Sequence, residues 1–600
     1  MQKKQIDIRL SQLKSAMNDS DIAVYIIPMN DYHGSEYIGE HFKLIRYFSG
    51  FTGSAGTLIV TQEESYLWTD GRYFLQAGQQ LSGTGIKLQK MGEKDVPTIS
   101  EFVLSYFEKK GIREQMAVGF DGRLMSVSFA DKLEGLRIVS DKDLAGDIWN
   151  FDEENRRPDF PMQPVWRLDT AYTGVSATEK LSQLRADMKK EGADVFLLST
   201  LDDIAWLTNL RGSDIAYNPV FLSYMIITGD RAVLYRDIEE EEICFYLEVC
   251  GIEVRPYGDF YKDIAQIPEN MSVWIDAESA SRRMAEAIPS GCKKLVGSNP
   301  IMLRKAIKNE TEAEHIRNAH IKDGVAVTKF LYWLKTNVRS RKEYATEISA
   351  AEKLIQFRGQ QEHYLGESFA PIVAFADHGA IVHYSANEAT DTELKPESFL
   401  LVDTGGHYLE GTTDITRTIV MGALTDAQKR HYTAVLQGNL RLANAYFKKG
   451  LTGANLDYLA REPLYRQGLD FNHGTGHGVG YLLNVHEGPN AFRMRQDAKG
   501  MFEAGMVTSD EPGFYPEGQY GIRLENLILC REAEKTEYGQ FLCFETLTMV
   551  PFDPEAIDIQ MFTEEDKKLL NAYHRKVYEA IADKLTVSER EWLSQVTAPI

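Results

Sequence analysis

Six hundred residues exceed what one hydrophobic core supports, and length alone allows about three or four domains. A formal net charge of −22 lacks the basic stripe a phosphate backbone requires, which argues against nucleic acid as a general partner. Five cysteines without CxxC pairing exclude a thiolate-ligated metal and point to a reducing compartment. A polar start and no apolar run near a membrane span predict a cytoplasmic protein with no membrane partner.

Along the chain, an internal echo comes first. RLSQLKSAM at 9–17 returns as KLSQLRADM at 180–188, each followed by a strand-like run, IAVYIIP at 22–28 and ADVFLLS at 193–199. An acidic residue recurs at the same offset, Asp31 and Asp202, and YFSGFTGS at 47–54 parallels WLTNLRGS at 206–213. Three matches in one order predict a duplicated α/β domain, spanning about 1–155 and 165–305. The charges and prolines of 153–164 make a linker between the copies.

A third unit opens with a helix over 308–334, where Thr311 with Glu314 reads as a capping box. Val327, Phe330, Leu331 and Leu334 keep helical spacing on its apolar face. From about 369 to 546 the pattern turns to strands. Thr563 with Asp566 then caps a last helix, whose face Leu569, Leu570, Tyr573, Val577 and Ile581 reads as a packing or dimer-forming appendage.

The candidate chemistry lies in the third unit. Asp403 follows an apolar strand and Asp414 heads the next, with Gly405, Gly406 and Gly411 as turn residues between them. Alone, that pair reads equally as turn-capping aspartates or as ligands. Glu511 and Glu525 form a second pair, and Arg523 alternates with Glu525 on what reads as a half-buried strand, where the two would make a same-face ion pair. Several carboxylates buried together require protonation or a cation. His473, His477 and His486 cluster among glycines in FNHGTGHGVGYLLNVHEGP, but Gly488-Pro489-Asn490 breaks the HExxH pattern that His486-Glu487 begins.

The ordered set Asp403, Asp414, His477, Glu511, Glu525, with HGTGHGVGYLLNVHEGP, DEPGFYPEGQYGIRLEN and WTDGRYFLQA, resembles the M24 metallopeptidases, and among them the long three-domain Xaa-Pro aminopeptidase branch. The resemblance runs over the whole chain. It implies an α/β and α+β multidomain protein: two creatinase-like domains (1–155 and 165–305), a pita-bread catalytic domain (310–546) and a C-terminal extension (547–600). It further implies a homodimer, peptide substrates with N-terminal Xaa-Pro, and hydrolysis by a hydroxide bridging two divalent ions.

By position, Asp403 chelates one ion, Asp414 and Glu525 bridge both, and His477 with Glu511 complete the other shell. One nitrogen among carboxylate oxygens is a hard donor set, suited to Mn²⁺ with Zn²⁺ or Co²⁺ as alternatives. Glu511 is the expected proton carrier. His383, His473 and His486 are expected to line the cleft and to hydrogen-bond the scissile carbonyl. Arg72 either reaches the distal end of a peptide or a neighbouring active site, or is a plain turn arginine. Tyr384, Phe514 and Tyr515 are aromatic candidates for a proline slot. A dipeptide-restricted prolidase, a metal-free creatinase-like amidinohydrolase and a non-catalytic peptide-binding module on the same fold are the alternatives, each with a different metal or substrate requirement.

Overall fold

The computed structural model describes residues 2–494 and 500–600. They form two compact units, Met1–Arg167 with Val175–Ile301, and Leu168–Gly174 with Met302–Ile600. Among the described residues no helix is long and apolar enough to cross a membrane.

The first unit holds the duplication. Each copy builds a six-stranded mixed sheet whose strands, numbered within that copy, lie in the same spatial order, 4-3-2-1-5-6. In both, the first strand (Ile22–Pro28, Val195–Leu198) runs antiparallel to the second and parallel to the fifth. The echo extends to side chains. The Arg9 guanidinium lies 3.8 Å over the Tyr47 ring and donates to the Tyr47 carbonyl at 2.8 Å. At the matching positions Lys180 lies 4.2 Å over Trp206 and donates to its carbonyl at 2.9 Å. These cation–π contacts tie each first helix to the helix that follows the first strand, and explain why both segments repeat.

The helices Leu44–Ser49 and Leu201–Thr208 end alike, on Gly50 and Asn209 in the left-handed conformation. The copies meet reciprocally at Ser126 and Ser281, each the N-cap of a short helix. Val127 N donates to Ala280 O at 3.0 Å, and Arg282 N donates to Met125 O at 2.7 Å.

The second unit opens with the helix Glu310–Trp333. Its cap is Asn309 with Glu312, two residues before the expected Thr311–Glu314 pair. Asn309 accepts from Glu312 N at 3.0 Å while the Glu312 carboxylate accepts from Asn309 N at 3.1 Å. Asparagine caps as well as threonine, and the earlier pair satisfies the first free N–H groups. Val327, Phe330, Leu331 and Leu334 are buried as expected.

Two sheets then carry the site. A three-stranded sheet joins Ile372–Phe375, Phe399–Thr404 and Ile415–Val420, with Asp403 opposite Thr416. A six-stranded sheet includes Gly476–Gly478, Val507–Asp510 and Asn526–Thr536. The last helices, Glu564–Ile581 and Val587–Val596, are capped at Thr563 and Thr586. Leu570, Tyr573, Val577, Ile581 and Leu593 pack into the same core as Tyr432, Leu436 and Leu524.

His574 in that core accepts a hydrogen bond at Nε2 from Phe552 N at 3.2 Å, and burial with the Arg417 charge pushes it down to about 3. An unfolded histidine takes a proton below about pH 6.5, whereas this one does not until near 3, so stability falls as the pH drops through that window. At about 1.36 kcal/mol per pH unit the group costs about 2 kcal/mol between pH 6.5 and 5.0. Urea unfolding at pH 7.0 and 5.0 should therefore show the wild type losing about that much more than His574→Leu. Parallel losses would remove His574 as the cause.

Candidate metal centre

Asp403 is the penultimate residue of the strand Phe399–Thr404, and Asp414 stands immediately before Ile415–Val420. The antiparallel register Asp403–Thr416 and Thr404–Ile415 brings the two carboxylates to one end of the sheet. A small hairpin, Gly406–Tyr408 with Gly411–Thr412, fills the connection. Glu511 and Glu525 occupy a matching break in the neighbouring ladder. Asp510 pairs with Asn526 and Gly513 with Arg523, while Pro512 supplies no N–H to carry the ladder through. Backbone bonds then sew the pieces together, Glu511 N to Thr475 O at 2.8 Å and Glu525 N to Thr416 O at 3.1 Å.

His477 sits on Gly476–Gly478, and its flanking glycines are steric necessities. A Cβ on Gly476 would lie 1.8 Å from Ser509 O, and one on Gly478 would lie 2.1 Å from Glu487 O. The Nδ1 of His477 donates to Gly478 O at 3.0 Å, which turns Nε2 toward the acids. Nε2 lies 3.5 Å from Asp414 Oδ2 and 3.4 Å from Glu511 Oε1. Asp414, His477 and Glu525 can each turn a ligand atom to within 4.8 Å of the others.

The electrostatics agree with a cation site. Asp414 and Glu525 are 4% and 1% exposed, so these acids face little water. Burial pushes the Glu511 carboxyl up to about 7, with the charges of Asp414 and Asp403 adding to the rise against His477 and Arg523. Glu525 is driven well above the carboxylate range by burial and by the other three acids. Burial raises Asp403 too, although Arg523 opposes it. For His477 burial works against the charged form, but the Asp414 hydrogen bond and the Glu511 charge outweigh it and lift the imidazole to about 9. Two buried oxygens, Asp403 Oδ1 and Glu525 Oε1, have no hydrogen-bond partner among the described residues. Four acids grouped with one imidazole, with two orphaned oxygens, have the chemistry that fits a divalent cation.

Arg523 is fully buried, as is the whole stretch Ile522–Glu525, so the strand is not half-buried. Its guanidinium pairs with Asp403 at 2.7 Å rather than with its sequence neighbour Glu525. The reason is directional: Glu525 turns its Oε2 to Thr416 Oγ1, which donates at 2.7 Å. Arg523 also donates to Tyr515 Oη at 2.9 Å, and Tyr515 lies 2.8 Å from His473 Nε2. His473 Nδ1 donates to Gly474 O at 2.8 Å, so Nε2 is the acceptor and Tyr515 the donor. Burial and Arg523 push His473 down to about 3, which keeps it neutral.

The His486 ring meets His477 edge-on at 4.3 Å, which places it at the centre. Glu487 turns away into an ion pair with Lys308 at 2.5 Å, so the His-Glu pair is no metal motif. His383 is half-buried beside Val382, whose carbonyl accepts from Arg523 at 3.4 Å. Tyr384 donates to Glu347 at 2.8 Å and Phe514 packs on His431 at 4.5 Å, whereas Tyr515 joins the site directly. Arg72 lies in the first unit, in a two-pronged contact with Asp70 at 2.9 and 2.7 Å.

Thr416 and Ser509 are the site residues that sequence reasoning missed. Ser509 donates to Glu511 at 3.0 Å and accepts from His477 N at 2.9 Å. Their signal was present: Asp414, Thr416 and Thr418 alternate at period two in an apolar strand, as do Ser509 and Glu511.

Against known proteins, the family model for metallopeptidase family M24 matches residues 314–532. The creatinase/prolidase N-terminal domain matches twice, at 9–152 and 156–312, and the C-terminal region of peptidase M24 matches 540–600. The chain belongs to the M24 metallopeptidases. Within that family it is 40% identical to a probable Xaa-Pro aminopeptidase P of Neurospora crassa, over 98% of this chain and 89% of the relative. The crystal structure of X-prolyl aminopeptidase from Caenorhabditis elegans, described as a cytosolic enzyme with a di-nuclear active site, matches with a TM-score of 0.92. That match is 33% identical and covers 99% of this chain and 100% of that one. Xaa-Pro dipeptidase from Bacillus anthracis, 26% identical, matches with a TM-score of 0.50 over 63% of this chain and 99% of its own.

Proposed function

We propose that this chain is an Xaa-Pro aminopeptidase, releasing the N-terminal residue from peptides with proline second, at a centre of two divalent ions. The observation that carries the reading is the cluster of four carboxylates with His477, in which Asp403 Oδ1 and Glu525 Oε1 lack partners among the described residues. Asp403 would hold one ion, Asp414 and Glu525 both, and His477 with Glu511 the second. Bound there, such ions supply Lewis-acid chemistry, polarising a carbonyl and acidifying water. The oxygen-rich donor set favours Mn²⁺ over Zn²⁺ or Co²⁺. Full activity restored by zinc alone, after chelation, would contradict that preference.

The protein's own groups do the rest. Glu511, whose carboxylate lies 3.4 Å from His477 Nε2, takes a proton from the attacking water and returns it to the departing proline nitrogen. His486 and His383 face the scissile carbonyl, while neutral His473 keeps Tyr515 oriented between itself and Arg523. The Xaa-Pro bond is a tertiary amide without an N–H, so the site must seat the ring rather than bond a peptide nitrogen; Tyr515 is the adjacent aromatic wall.

Segments 1–155, 165–305, 310–546 and 547–600 are the domains of this reading, supported by the family-model spans. Cytoplasmic residence is supported by the nematode neighbour, and homodimerisation by the family resemblance.

Competition between Xaa-Pro dipeptides and Xaa-Pro-Xaa tripeptides tests substrate class. The tripeptide should be cleaved at the first bond with the higher kcat/KM. Turnover of dipeptides alone would replace this reading with a prolidase.

A further inference from the structure

The C-terminal region reaches the metal-binding carboxylates through one side chain. Arg417, 2% exposed on the strand Ile415–Val420, makes no ion pair among the described residues; the acceptors around it are neutral. One terminal nitrogen donates to Thr416 O at 2.8 Å and to Glu525 O at 2.6 Å. The other faces Asn526 Oδ1 at 2.8 Å, Val550 O at 2.7 Å and Tyr573 Oη at 2.9 Å. Nε donates to Pro551 O at 3.1 Å, and the Phe552 ring lies 4.2 Å beneath the guanidinium.

These partners fall into two groups. Thr416, Glu525 and Asn526 belong to the site: Thr416 Oγ1 holds the Glu525 carboxylate, and Glu525 stands in the break of its ladder. Val550, Pro551, Phe552 and Tyr573 belong to the segment matched by the M24 C-terminal region. Tyr573 Oη in turn lies 2.6 Å from Val550 O, so the helix Glu564–Ile581 fixes the loop that fixes Arg417. A buried cation whose planar fork is spread over neutral oxygens on both sides is a geometric clamp, and the carboxylate whose charge acts on it is Glu525.

We propose that Arg417, fixed by the C-terminal region, is a positioning residue for Glu525, so that this region sets metal affinity and is not mere packing. The proposal rests on the metal-centre reading above. It assigns Tyr573, a residue of the helix Glu564–Ile581, an effect on ion binding without any contact to an ion.

The test is Mn²⁺ affinity of chelator-stripped protein, measured by competition with a fluorescent chelator, alongside melting temperature. Arg417→Lys should weaken binding about ten- to a hundredfold, the range for residues that orient ligands, and Tyr573→Phe, one hydrogen bond further from the ions, at least about fivefold. Leu593→Ala, which removes core packing in the same region but none of the Arg417 hydrogen bonds, should lower the melting temperature and leave affinity within about twofold of wild type. If Arg417→Lys does not fold, Tyr573→Phe decides alone. Wild-type affinity in the variants, or equal weakening by Leu593→Ala, overturns the clamp. A wild type that binds no Mn²⁺ overturns the metal-centre reading itself, and the clamp with it.

Discussion

Asp414→Ala is expected to lower kcat/KM on an Xaa-Pro-Xaa peptide by about a thousandfold or more, and to reduce bound metal below two ions per chain. The carboxylate is buried, 3.5 Å from His477 Nε2, and shares its pocket with Glu525 and Glu511. Assigned to both ions, it cannot be lost without loosening both. Lewis-acid assistance is worth several kcal/mol of barrier, and each 1.36 kcal/mol is tenfold in rate, so losing about 4 kcal/mol gives that factor. Peptide hydrolysis and metal content, measured on the same preparation, check the claim together. Retained activity with two ions bound would refute the bridging assignment.

The second large effect concerns stability. Arg358→Met is expected to destabilise the second unit by about 3–5 kcal/mol, the cost of breaking a buried ion pair from one side. Arg358 is fully buried, 2.7 Å from Asp323 Oδ1 and 2.6 Å from Glu367 Oε2. Methionine fills similar volume but strands two carboxylates, of which Asp323 is wholly buried. The damage would not stay local. Arg358 also donates to Thr404 Oγ1, and Asp323 Oδ2 accepts from Thr413 Oγ1 at 2.7 Å; those threonines adjoin Asp403 and Asp414. Urea unfolding at neutral pH reads the loss directly. A change under about 1 kcal/mol would mean that water replaces the guanidinium.

Much of the first unit was legible in sequence because duplication preserves the contacts that hold an α/β layer together. Arg9 with Tyr47 and Lys180 with Trp206 recur since each pair docks the same helix on the same turn. The site was legible in a different way. Asp403 and Asp414 were indistinguishable from turn aspartates until the resemblance placed them with His477, Glu511 and Glu525. Burial, which separates a ligand from a surface acid, depends on sheets brought together over more than a hundred residues.

The misreadings share that cause. Arg523 has Glu525 beside it in sequence, yet its partner is Asp403, 120 residues away. The helix cap moved from Thr311 to Asn309 because two capping signals overlap, and local pattern does not rank them. Arg417 drew no attention because its partners come from four separated segments. Where a polar side chain is answered by distant backbone, pattern reading has nothing to count.

The central claim is that catalysis depends on two ions held by Asp403, Asp414, His477, Glu511 and Glu525. Its most direct test is to titrate Mn²⁺ into chelator-stripped protein while following both bound metal and release of the first residue from an Xaa-Pro-Xaa tripeptide. The account predicts no activity at zero metal and full activity at two ions per chain. Undiminished cleavage by the stripped protein, or a plateau at one ion, would contradict it.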